Sequence, residues 1–104
     1  MARARLEQAA GDAGLSVATA PPERLDDALR AHEPDVVILD LDAGGRELLD
    51  RLEEARTGGA LRARVVGYFS HVDADLGAAA RAAGCEALPR GRFWRALPEV
   101  LAEG

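Results

Sequence analysis

The apolar residues of the chain follow two kinds of pattern, short unbroken runs and stretches with helical spacing. The runs at Asp35–Asp40 and Arg64–Ser70 hold consecutive β-favouring residues, which is typical of strands covered on both faces of a parallel sheet. Shorter runs at Leu15–Thr19 and Cys85–Leu88 resemble strands mainly through their position along the chain. The pattern therefore predicts four strands.

Helical spacing separates these runs. Residues 2–13 predict an Ala-rich helix that ends at Gly14, and a second helix begins after Pro21 and Pro22 and stops before Pro34. Two further helices have apolar faces that end at glycines: Leu48, Leu49, Leu52 and Ala55 before Gly58, and Val72, Leu76, Ala79, Ala80 and Ala83 before Gly84. In the last segment, Pro98 is expected to divide a short turn from a final helix.

Strands that alternate with helices of this length predict right-handed βαβ units and a parallel sheet. The chain shows no linker, internal repeat or low-complexity segment. Residues 1–104 therefore predict one α/β domain.

Composition narrows the function classes. The chain has 13 basic and 18 acidic residues, and the resulting net charge of −5 argues against a nucleic-acid partner. All the basic residues are Arg, which excludes a catalytic lysine. No apolar run approaches the roughly 20 residues of a membrane span, and no signal peptide is recognisable. The single cysteine, Cys85, excludes an internal disulfide and is expected in the core. We expect a cytoplasmic protein.

Polar side chains follow the predicted strands where parallel sheets usually carry chemistry, at their carboxyl ends. Asp40 and Asp42 follow one strand, Ser70 and His71 the next, and Arg90 the last. An acid, a hydroxyl and a cation at neighbouring strand ends could hold a phosphoryl group or a small anion. The alternative is that strand ends are polar because they meet water.

Several segments together resemble the receiver domains of response regulators. Asp35–Leu41 is similar to the third strand of that family, which ends in the phospho-accepting Asp. Ala13–Ala20 resembles the end of its first helix and its second strand, and Arg81–Arg90 resembles the segment before its last helix. The resemblance covers essentially the whole chain. It implies a flavodoxin-like, three-layer α/β/α fold with a parallel sheet that apparently lacks the first strand.

Residue by residue, the resemblance implies that Asp40 is the phospho-acceptor and that Ser70 is the hydroxyl that senses the phosphoryl group. Arg90 stands where receivers have a Lys that binds the phosphoryl oxygens, and Asp42 is an accessory acid. The acidic pair that holds Mg²⁺ in receivers has no counterpart here, so no metal ligands are assigned and Mg²⁺ is expected only if Asp40 is phosphorylated.

A sheet without the first strand leaves two arrangements open. The chain resembles a receiver shortened at its start, whose central strand would be supplied upstream. Alternatively, strands 15–19 and 35–40 pair directly in a four-stranded sheet, with the second, third and fourth helices on one face and the first and last helices on the other. We favour the compact four-stranded sheet slightly.

The sequence thus predicts a receiver-like signalling domain of a bacterial two-component system. It is expected to act by protein–protein contact, without enzymatic activity and with impaired or absent phosphorylation. Phe93 and Trp94 mark the expected contact face for a sensor kinase, an output protein or a second copy; alternatively they are a core Phe and a Trp lying over the sheet edge. Two other functions stay open: a phospho-accepting regulator that uses Asp40, and a ligand-binding or enzymatic domain that uses the Asp40–Ser70–Arg90 crevice.

Overall fold

Helices and parallel strands alternate through the computed structural model, which describes residues 2–70 and 73–102. The elements are α1 (Ala2–Asp12), a 3₁₀ turn (Pro22–Arg24), α2 (Leu25–His32), β1 (Val36–Asp40), α3 (Leu41–Thr57), β2 (Arg64–Phe69), α4 (Ala74–Ala82), β3 (Glu86–Pro89) and α5 (Arg90–Ala102). His71 and Val72 lie outside the described residues. The predicted α/β class is confirmed. No described helix is both long and apolar enough to cross a membrane.

The three strands form a parallel sheet in the order β1-β2-β3, with Val37 beside Val65 and Gly67 beside Ala87. One face, which includes Val37 and Phe69, packs against α2, α3 and α4. The other face, which includes Tyr68, packs against α1 and α5. The predicted division of the helices between the two faces is therefore confirmed.

The predicted strand at Leu15–Thr19 is wrong. These residues carry no strand pairing, and Leu15 and Val17 are each 41% exposed. Gly14 has a φ of +75°, and the N–H of Leu15 donates to the carbonyl of Ala10 at 2.7 Å, which closes the end of α1. Leu15 and Val17 are the only large apolar residues of this segment, so pairing would bury too little surface to offset the ordering of the backbone.

Pro98 does not divide the last segment as predicted, because α5 runs without interruption from Arg90 to Ala102. Proline removes the N–H that would bond one turn back, which normally weakens a helix interior. Buried side chains lie on both sides of it, Phe93 and Leu97 before and Val100 and Leu101 after. Packing of this continuous apolar face against the sheet holds the helix together across Pro98.

The start of α3 lies close against the middle of the sheet. A Cβ added to Gly67 in β2 would stand 2.8 Å from the Leu41 side chain and 3.0 Å from the Cys85 sulfur. Only a glycine therefore lets Leu41 lie over β2. Cys85 is buried, as predicted, and burial raises the pKa of its thiol to about 11.

An ion pair joins the amino ends of β2 and β3 to the end of α5. The Arg64 guanidinium donates to both carboxylate oxygens of Glu86, at 2.6 and 2.9 Å, and to the carbonyl of Val100 at 3.0 Å. The hydrogen bonds from Arg64 outweigh desolvation and hold the pKa of Glu86 below its ordinary value. This clamp lies at the opposite end of the strands from the predicted site.

Candidate functional site

The carboxyl ends of the three strands bring the predicted site residues together. Asp40 is the last residue of β1, Ser70 directly follows β2, and Arg90 is the first residue of α5 after β3. Asp42, in the first turn of α3, bonds to groups at both other strand ends. Four residues separated by up to 50 positions in the sequence thus share one cluster, which we call the Asp40–Asp42–Arg90 cluster.

Asp40 begins helix α3. Its Oδ1 accepts hydrogen bonds from the backbone N–H groups of Asp42 at 3.1 Å and Ala43 at 3.3 Å, the geometry of an N-cap. Leu41–Gly44 form a helical turn that breaks only at Gly45, where φ is +53°. The capping bonds explain why the helix starts directly at the end of the strand.

Asp42 links the ends of β2 and β3. Its Oδ1 accepts a bond from the backbone N–H of Ser70 at 2.9 Å, and its Oδ2 accepts one from Arg90 Nη2 at 2.8 Å. Burial raises the pKa of Asp42, but the hydrogen bonds from Ser70 and Arg90 outweigh it, so the pKa lies below its ordinary value. The carboxylate is therefore charged at neutral pH, and it is the central group of the cluster.

Arg90 bridges both carboxylates. The same Nη2 that bonds to Asp42 lies 3.4 Å from Asp40 Oδ1, and the guanidinium carbon lies 4.8 Å from the centre of the Tyr68 ring. The hydrogen bond to Asp42 is the main cause that raises the pKa of Arg90. The cation is thus fixed by two negative charges and an aromatic face.

Tyr68 is the site residue that sequence reasoning missed. Its position within the apolar run of β2 marks it as a core residue, and it is indeed buried. Burial, followed by the charge of Asp40, raises the pKa of its phenol. The alternation of side chains along β2 was the signal available, because it places Tyr68 on the same face as α5, which carries Arg90.

The Mg²⁺ that the receiver resemblance implies does not fit this arrangement. Arg90 already lies within hydrogen-bonding reach of both Asp40 and Asp42, and a divalent cation beside these carboxylates would face that positive charge. Within residues 2–70 and 73–102 no group of three or more acidic, His or Cys side chains could hold a metal ion. Octahedral oxygen coordination would require Arg90 to leave first.

The two aromatic residues of the predicted contact face take different positions. Phe93 is fully buried and its ring centre lies 4.7 Å from that of Tyr68, so its assignment to an interaction surface is wrong. Consecutive residues of a helix point about 100° apart, so only one of the two rings can face the core, and that ring is Phe93. Trp94 is half-buried, and the guanidinium of Arg5 lies 4.6 Å from the centre of its ring.

Trp94 lines a shallow groove between α1 and α5. The groove measures about 390 Å³, and Arg5 and Pro98 also line it. Arg92 and Arg95 are exposed on α5 nearby in the sequence. This surface, which we call the Trp94 groove, places one aromatic ring beside the Arg5 cation, and Asp12 also lines it.

No family model, curated protein sequence or solved structure matches this chain.

Proposed function

We propose that the chain is a flavodoxin-like, receiver-like signalling domain of a bacterial two-component system, cytoplasmic, which acts by protein–protein contact and not by Mg²⁺-dependent phosphorylation of Asp40. The observation that carries the proposal is the bridge from Arg90 to both Asp40 and Asp42. The sheet order and the placement of the helices on its two faces support the receiver-like architecture.

The bridge bears on phosphorylation through charge and geometry. Phosphoryl transfer to a carboxylate needs the attacking oxygen to approach an anionic donor, and a metal ion normally offsets the charge. Here Asp40 Oδ1 accepts two backbone N–H groups and faces Arg90. The carboxylate is a helix cap within an ion pair, so its role in this chain is to hold α3 and α5 against the sheet.

The contact surface in this proposal is the Trp94 groove. Aromatic and arginine side chains are enriched at protein–protein contacts, where they supply apolar area and directional hydrogen bonds together. The groove lies on the α1/α5 face, on the other side of the sheet from α2, α3 and α4. A sensor kinase, an output protein or a second copy with an acidic or apolar surface would suit it.

The phosphorylation part is tested by amide NMR with Mg²⁺ and beryllofluoride, which mimics an acyl phosphate. The wild-type chain is expected to show no saturable shift at the Asp40 and Ser70 amides. Arg90→Gln is expected to give a Mg²⁺-dependent shift, because it removes the cation from the two carboxylates; Arg92→Gln is the matched control. Saturable wild-type shifts that Asp40→Asn abolishes would overturn this part.

The contact part is tested by pairwise binding to the purified sensor kinases and output proteins of the source organism. Trp94→Ala and Arg5→Glu, both in the groove lining, are expected to lose binding while circular dichroism stays native. Arg24→Ala is the control, since this exposed arginine lies in the 3₁₀ turn that packs against α2 and α3, on the other face of the sheet. Partner binding that both groove variants leave unchanged would count against the Trp94 groove.

A further inference from the structure

The two halves of α5 are attached to the rest of the chain at opposite ends of the sheet. Pro98 has no N–H, so the hydrogen-bond ladder of the helix is interrupted between the halves. In the second half, the carbonyl of Val100 accepts a bond from Arg64 at 3.0 Å. In the first half, Arg90 donates to Asp42 at 2.8 Å. Each half therefore has an arginine bond of its own.

The first turn of α5 has little to stabilise it locally. It holds two cations, Arg90 and Arg92, and no acidic residue, although the positive end of a helix dipole favours anions. Pro89, the residue before the helix, has no side-chain acceptor that could cap the first N–H groups. The bonds from Arg90 to the Asp40 and Asp42 carboxylates offset this deficit. We expect the first turn to loosen when these bonds are lost.

Tyr68 connects this turn to the groove. The centre of its buried ring lies 4.8 Å from the guanidinium carbon of Arg90, 4.7 Å from the centre of the Phe93 ring and 5.5 Å from that of Trp94. On α1, the guanidinium carbon of Arg5 lies 4.6 Å from the centre of the Trp94 ring. Rings packed this closely cannot move independently. The position of Trp94 therefore depends on where Arg90 is held.

We propose that the Asp40–Asp42–Arg90 cluster regulates the Trp94 groove through the first half of α5. With Arg90 bonded to the carboxylates, Trp94 is held against Tyr68 and forms one wall of the groove. With Arg90 released, the first half of α5 loosens, Trp94 leaves Tyr68 and the groove loses its aromatic wall. The Tyr68–Trp94 packing is thus the contact that differs between the two states. That this coupling controls partner binding rests on the proposed function, whereas the link between Arg90 and Trp94 does not.

The test uses the fluorescence of Trp94, which is the only tryptophan of the chain. Acrylamide quenching is measured on the intact chain at a temperature where circular dichroism shows every variant folded. Asp42→Ala changes α3 and not α5, and it is expected to raise the quenching constant about twofold, because a half-buried ring becomes exposed. Glu86→Ala is the matched control, since it removes a carboxylate bonded to Arg64 at the other end of the strands. It should leave the quenching constant unchanged.

Tyr68→Leu tests the connection itself. It should raise the quenching constant alone, and Asp42→Ala added to it should cause no further rise, because the two changes act on one path. Tyr68→Phe keeps the ring and should leave the response to Asp42→Ala intact. Should Tyr68→Leu fail to fold, Asp42→Ala and Glu86→Ala decide the matter.

A quenching constant that Asp42→Ala leaves unchanged, or that Glu86→Ala raises as much, overturns the proposal. So does an additive effect of Tyr68→Leu and Asp42→Ala. The proposed function fails separately: if Trp94 responds as expected but Trp94→Ala leaves partner binding unchanged, the groove is not the contact surface and the link between Arg90 and Trp94 stands.

Discussion

Replacement of Asp42 tests the cluster most directly, because this one carboxylate joins the ends of β2 and β3 to the start of α3. Asp42→Ala removes the acceptor of the Ser70 N–H and a partner of Arg90. A hydrogen bond to a charged group contributes about 1.5–3 kcal/mol when buried. The Asp42 and Arg90 side chains are 28% and 42% exposed, so solvent screening reduces the contribution of their hydrogen bond to stability.

With that discount, we expect Asp42→Ala to lower the free energy of unfolding by about 1.5–2 kcal/mol. A domain of this size shifts its Tm by roughly 4–8 °C per kcal/mol, so thermal unfolding followed by circular dichroism should show a loss of roughly 6–16 °C. Asp42→Asn keeps an acceptor for the Ser70 N–H but loses the charge, and we expect it to lower the free energy of unfolding by about 0.5–1 kcal/mol. The difference between the variants isolates the Ser70 bond.

The pH dependence gives an independent check. Because the folded pKa of Asp42 lies below its unfolded value, its charge stabilises the folded chain above about pH 4, and this is lost as the pH falls through the folded pKa. The difference in stability between wild type and Asp42→Asn should be constant near neutrality and shrink below about pH 4. Asp50→Ala, an exposed acid on the same helix, is the control. Equal stabilities of Asp42→Ala and Asp50→Ala would refute the reasoning.

Three further experiments test the packing of Gly67, the burial of Cys85 and the ion pair of Glu86. Gly67→Ala should destabilise the chain by about 1–3 kcal/mol in urea denaturation because the added Cβ has no room. The control is Gly11→Ala in α1, where a Cβ would meet nothing within 4 Å, and it should be neutral or stabilising by up to about 1 kcal/mol. A larger loss of stability at Gly11 than at Gly67 would contradict the packing. Cys85, with a pKa of about 11, should react with a thiol reagent only as fast as the chain unfolds; rapid labelling of the native protein at pH 8 would argue against burial. Glu86→Gln should lower stability at neutral pH, and the loss should disappear as the pH falls below about 4.5, because Arg64 lowers the folded pKa of Glu86; a loss that persists at low pH would count against the ion pair.

The sequence alone determined the elements whose signals are local. The strands Val36–Asp40 and Arg64–Phe69 lie within one residue of the bounds predicted from the apolar runs. A run of consecutive apolar residues is buried in full only in a strand that is covered on both faces of the sheet. Pro34 and Gly84 marked the ends of helices because their backbone preferences act on neighbouring residues. The order of elements also determined the two helical layers, since right-handed crossovers leave little choice.

Tertiary structure decided the features that depend on partners distant along the chain. Leu15–Thr19 has a weak strand preference, and whether it pairs depends on what lies beside β1. Pro98 continues a helix because packing of α5 on the sheet outweighs a missing hydrogen bond. Asp40, Asp42 and Arg90 could be placed at one edge of the sheet from the sequence. That Arg90 would bond to both carboxylates depended on side-chain length, direction and the Tyr68 ring, which no local pattern encodes.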